Sequence, residues 1–130
     1  MSESAVDRLL QAARRRLHRV DARRAKQIVD QGGLLIDIRP AVQRAEFGQV
    51  PGALIVERNN LEWRLDPEGS HRLPEASDGE RAVVVMCQEG YASSLAAASL
   101  LDLGRANATD LDGGFAAWKA VGYPTTPPSR

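Results

Sequence analysis

Apolar and polar positions along this chain predict short, wholly apolar strands alternating with amphipathic helices. Val6, Leu9, Leu10, Ala13 and Leu17 recur at helical spacing, with Arg8, Arg14, Arg15 and Arg16 largely on the other faces. That pattern predicts a helix over 3–18. Residues 18–20 read as a short first strand. Asp21 is suited to cap a helix over 22–30, which Gly32-Gly33 ends. The run 34–38 is apolar almost throughout, as in a parallel strand covered on both faces. Pro40 opens a short helix over 41–47. Pro51-Gly52 turns into a strand over 53–56, and Asn59-Asn60 offers a cap for a helix over 61–65. Residues 66–80 are rich in Pro, Gly, Ser and acids and read as a surface connection. Ala82-Val83-Val84-Val85-Met86 reads as a buried strand. An Ala/Leu-rich run after Ser93 predicts a helix that Gly104 stops. A strand over 109–111, a turn at Asp112-Gly113-Gly114, a helix over 115–121 and a Pro-rich extended tail complete the order.

This alternation predicts an α/β fold with a central, mostly parallel sheet flanked by helices on both faces. At 130 residues one domain is expected, over 19–130, with 1–18 as an extra amphipathic helix packed on it. The alternative for that basic helix is a membrane surface or an acidic partner.

Composition narrows the classes. A formal net charge of zero speaks against a nucleic-acid partner. The apolar runs are too short to span a bilayer. A single cysteine allows no internal disulfide, and no signal peptide is seen, which together predict a cytoplasmic protein. Fifteen arginines against two lysines point to a GC-rich bacterial genome, a matter of codon supply rather than function. Neither His18 nor His71 has a companion at metal-ligand spacing, so no metal site is expected, and no cofactor is implied.

The chemistry concentrates at Cys87. It sits where the apolar strand gives way to a short loop, Gln88-Glu89-Gly90-Tyr91-Ala92-Ser93, that leads into a helix. Such a loop points several backbone N–H groups into one concavity, and the helix dipole adds partial positive charge. A thiolate there is stabilised, and Gly90 allows the positive φ the turn needs. The bland alternative is an inert, buried cysteine at a strand end. Asp37 and Arg39 also fall at a strand end, so they should share a rim with Cys87.

Four motifs in order resemble the rhodanese-like sulfurtransferases. Cys87, Gly90 and Ser93 match a loop usually written Cys-x-x-Gly-x-Arg-Ser. Asp37-Ile38-Arg39 resembles the family's Asp-x-Arg, and Gly48-Gln49-Val50-Pro51-Gly52-Ala53 resembles Gly-His-Ile-Pro-Gly-Ala. Gly113-Gly114, Trp118 and Gly122-Tyr123-Pro124 resemble the closing pattern. The chain departs at Ala92, where the family usually has Arg, and at Gln49, where it usually has His. The missing arginine would help bind an anionic donor such as thiosulfate, and Glu89 would repel one if it pointed inward.

The resemblance implies a single rhodanese-like domain that moves sulfane sulfur through a Cys87 persulfide. The donor is a small molecule such as thiosulfate, and the acceptor an external thiol or cyanide. Gln88, Glu89, Gly90, Tyr91, Ala92 and Ser93 would line the substrate site, with Asp37 and Arg39 beside it. Arg39 would orient the donor or simply hold Asp37. Arg44, Arg58 and Arg64 are candidates to replace the missing cation. Two rival readings stand beside this one. One is a thiol phosphatase or arsenate reductase, which needs Arg six residues after Cys, where this chain has Ser93. The other is a non-catalytic interaction or sulfur-carrier module.

Overall fold

In the computed structural model, residues 3–128 are described. Four parallel strands form one sheet in the order β2-β1-β3-β4: β1 Leu34–Asp37, β2 Leu54–Ile55, β3 Val83–Met86 and β4 Ala108–Asp110. Six helices accompany it: α1 Ala5–Arg15, α2 Ala22–Asp30, α3 Ala41–Phe47, α4 Leu61–Leu65, α5 Ala92–Asp102 and α6 Gly114–Ala120.

The central strands are apolar on both sides because both sides are covered. Successive side chains of a strand point to opposite faces. Leu34, Ile36, Val83 and Val85 pack with Leu61, Leu65, Ala96, Ala97 and Leu100, from α4 and α5. The intervening Leu35, Val84 and Met86 pack with Ala22, Ala25, Phe115 and Trp118, from α2 and α6. Residues 83–86 of β3 are all 0% exposed. α1 lies against α5, outside the sheet layers, with Ala13 and Leu17 buried.

Several elements differ from the sequence expectation, each for a local reason. Residues 18–20 form no strand. Val20 makes one parallel bridge to Leu111, because α1 and the cap of α2 leave too short a segment for more. α1 itself stops at Arg15, where the Arg16 N–H turns back onto the Ala13 carbonyl and the Leu17 N–H onto the Arg14 carbonyl. Asn60 gives α4 no side-chain cap. A 3₁₀ turn over Arg58–Asn60 feeds directly into the helix, so the chain never takes the extended entry a cap needs. The 66–80 connection is tied down rather than loose. Buried Arg105 donates to the carbonyls of Leu65, Ala76, Asp78 and Arg81. Desolvation lowers the Arg105 pKa, partly offset by the charge of Asp78.

α5 ends as its glycine predicts. Gly104 takes φ 92°, its N–H reaches the Leu101 carbonyl at 2.9 Å, and the Arg105 N–H reaches the Leu100 carbonyl at 3.1 Å. The C-terminal segment closes over the opposite end, where Thr126 pairs antiparallel with Gln49.

Candidate active site

Register places the candidate residues together. Asp37 is the partner of Met86 across the central strand pair, so the residues that follow leave the sheet side by side at its carboxyl edge. Beyond Met86 the chain enters a loop whose carbonyls and amides are sorted by direction. The Cys87 and Gln88 carbonyls accept from Phe115 N–H (2.8 Å) and Ala116 N–H (3.1 Å), in the first turn of α6. Gly114 makes that approach feasible: a Cβ there would lie 2.5 Å from the Cys87 oxygen, and its φ is 62°.

With those carbonyls committed to α6, the loop turns at Gly90 (φ 91°) and brings amides onto the sulfur. Gly90 N–H donates to Cys87 Sγ at 3.2 Å and Ser93 N–H at 3.4 Å. The N–H groups of Glu89, Tyr91 and Ala92 make no hydrogen bond among the described residues. Cys87 is buried at 7% exposure, while Glu89, Ala92 and Tyr91 form an exposed lip. Next to it a cleft of about 570 Å³ is lined by Gln88 and Glu89 of the loop and by Gln43, Phe47, Phe115 and Lys119.

Arg39 is fully engaged inside the protein. It meets Asp37 through Nε (3.0 Å to Oδ1) and Nη2 (2.8 Å to Oδ2). Nη2 also donates to the Gly48 carbonyl and Nη1 to Gln88 Oε1, both at 2.9 Å. Its guanidinium carbon lies 4.2 Å from the centroid of the Phe115 ring, and the side chain is 0% exposed. Asp37 and Arg39 therefore reach the loop through the Gln88 side chain, from beneath.

Behind the loop lies a second polar cluster that the sequence did not reveal. Asp110, fully buried at the end of β4, accepts from the hydroxyls of Ser93 (2.7 Å) and Ser94 (2.9 Å) and pairs with Arg19. Arg19 also donates to the Gly90 carbonyl at 2.8 Å. Desolvation works to lower the Arg19 pKa, but Asp110, then Asp112 and Cys87, outweigh it and raise it. Arg14 of α1 donates to the same carbonyl at 2.8 Å and to Ser94 Oγ at 3.0 Å. Both arginines lie more than 70 residues away in sequence. A spacing pattern has no means of showing such a contact; only the hydroxyl pair Ser93-Ser94 hinted at a buried acceptor.

The other arginines considered from the sequence go elsewhere. Arg44 donates to the Arg39 carbonyl, Arg58 pairs with Glu62, and Arg64 donates to the His71 carbonyl. No group of three or more His, Cys, Asp or Glu is placed to hold a metal among the described residues. No described helix is long and apolar enough to cross a membrane.

The model of the rhodanese-like domain family matches residues 21–121. This chain belongs to that family. Two thiosulfate sulfurtransferases, both named GlpE, resemble it. That of Pseudomonas fluorescens is 31% identical, with 82% of this chain and 87% of that protein covered. That of Pseudomonas savastanoi is 29% identical, with 82% and 90% covered. A maize adenylyltransferase and sulfurtransferase, MOCS3-2, is 35% identical over 77% of this chain, which spans only 20% of that longer protein. Among solved structures, a protein of unknown function from Rhodopseudomonas palustris, described as a possible tyrosine phosphatase, superposes with a TM-score of 0.84. That match has 25% identity and 96% coverage of both chains, so it extends over the N-terminal helix. The rhodanese loop here carries Ala92, exposed at the first position of α5, where the family pattern has arginine.

Proposed function

We propose that this rhodanese-like protein is a sulfurtransferase that carries sulfur on Cys87. The observation that supports it most is the convergence of two loop amides, Gly90 and Ser93, on Sγ, beside three further amides with no acceptor among the described residues. A neutral, inert thiol has no use for a ring of oriented donors, whereas a thiolate or persulfide does.

In the first half-reaction the Cys87 thiolate attacks the outer sulfur of thiosulfate. The sulfur–sulfur bond breaks, sulfite leaves with its electron pair, and Cys87 becomes a persulfide anion. In the second, an acceptor nucleophile attacks the outer sulfur and the Cys87 thiolate departs. Cyanide gives thiocyanate; a thiol gives a new persulfide. With one cysteine in the chain, the acceptor thiol comes from outside it. A cytoplasmic, reducing setting suits a free thiol at such a site. The named activity of the GlpE relatives supports the same reading.

The phosphatase reading lacks its anion clamp. Ser93 stands where a bidentate arginine would be needed, and its hydroxyl is turned inward to Asp110. The deciding experiment is intact-mass analysis after incubation with thiosulfate. A one-sulfur adduct, matched by released sulfite and lost in Cys87→Ser, is the expected result. No adduct with a range of sulfane donors overturns the proposal.

A further inference from the structure

We infer that Arg14, on the N-terminal helix that lies outside the family match, is a positioning residue that supplies the positive charge missing from the loop at Ala92. The inference rests on the sulfurtransferase reading for the identity of the anion, but its geometry is independent of it. Arg14 spans 76 residues to reach the Gly90 carbonyl at 2.8 Å. Its Nε holds Ser94 Oγ at 3.0 Å, and its guanidinium lies 5.5 Å from the centroid of the exposed Tyr91 ring. These contacts fix it against three residues of one loop and helix start.

Charge separates Arg14 from Arg19, which grips the same carbonyl. Arg19 is directly ion-paired with Asp110 and Asp112, whereas Arg14 meets Asp110 only through the Ser94 hydroxyl. Arg14 is thus a cation at the loop that no carboxylate directly pairs among the described residues.

Backbone geometry gives the contact a direction. The peptide between Gly90 and Tyr91 is trans, so its oxygen and its N–H point to opposite sides. Two guanidinium groups hold the oxygen, and the Tyr91 N–H therefore aims away from them, with no acceptor among the described residues. Hydrogen bonds to that carbonyl also polarise the peptide and strengthen its N–H as a donor. Arg14 thus orients and sharpens one amide of the loop while adding a charge the loop itself lacks.

The test compares alkylation of Cys87 by iodoacetate, an anion, with alkylation by neutral iodoacetamide, in the full chain at low ionic strength. The ratio of the two rates cancels general changes in thiol exposure or reactivity and reads the charge around the sulfur. Arg14→Gln keeps a donor but removes the charge, and should lower the ratio about threefold to fivefold. Arg14→Lys should restore it to within about twofold. A purely structural role slows both reagents together and leaves the ratio unchanged, which overturns the inference. So does an equal fall in Arg14→Lys. Should Arg14→Gln fail to fold, Arg14→Met, which keeps the length of the side chain without its charge, is read by the same ratio: a fall supports the inference and an unchanged ratio overturns it. Thiosulfate loading of the wild type is scored separately. A persulfide without a moving ratio defeats only the role of Arg14, and a moving ratio without a persulfide defeats only the sulfurtransferase reading.

Discussion

The Phe115 N–H donates to the Cys87 carbonyl at 2.8 Å and, with the Ala116 N–H on the Gln88 carbonyl, ties the start of the thiol-bearing loop to α6. The start of α6 takes the loop's outward carbonyls, and the amides are left to face the sulfur.

Gly114→Ala should disrupt this arrangement directly. A methyl group there would lie 2.5 Å from the Cys87 oxygen, on a residue with φ 62°. We expect a loss of about 1–3 kcal/mol in chemical denaturation and slower persulfide formation. Wild-type stability and rate in this variant would show that the turn can shift without moving the loop.

Asp37→Ala should be among the more damaging single changes. It leaves the Arg39 guanidinium, with 0% of its side chain exposed, without its carboxylate. Stranding one member of a buried pair typically costs about 3–5 kcal/mol, read as a lower urea midpoint. A cost below about 1 kcal/mol would put this pair in the class of exposed ion pairs.

Ala92→Arg places the family's usual residue on the exposed lip. A partly solvated charge on an anionic donor is worth on the order of 1 kcal/mol, so KM for thiosulfate should fall about fivefold. The turnover number should change little. An unchanged or higher KM would mean that position 92 does not face the donor.

Acid sensitivity has one traceable source in Glu62. Desolvation tends to raise its pKa, but the Ser99 hydroxyl, its own backbone N–H and Arg58 more than compensate and hold it below 4.5. A depressed carboxylate stabilises the fold above its unfolded pKa and loses that contribution as pH falls through the folded value. Glu62→Gln should therefore melt below the wild type at neutral pH, and the gap should close on acidification below 4.5. A gap that is constant with pH would assign the effect to packing instead.

The sequence by itself determined the strand–helix alternation, the parallel sheet and the position of Cys87 at a strand end. These follow from local causes: apolar runs for strands covered on both faces, Asp21 as a cap, Gly104 as a helix stop and Gly90 as a turn residue. Element ends were less legible, as at 18–20 and Asn60, because pairing length and helix entry depend on neighbours that are distant in sequence. Only the tertiary structure decided which charges surround the loop. Arg44, Arg58 and Arg64 looked eligible by type and went elsewhere, while Arg14 and Arg19 arrived from the N-terminal segment. The physical reason is reach. A long guanidinium side chain finds its acceptor through space, and which acceptor is near depends on how α1 packs on α5, a relation that no local pattern of residues encodes.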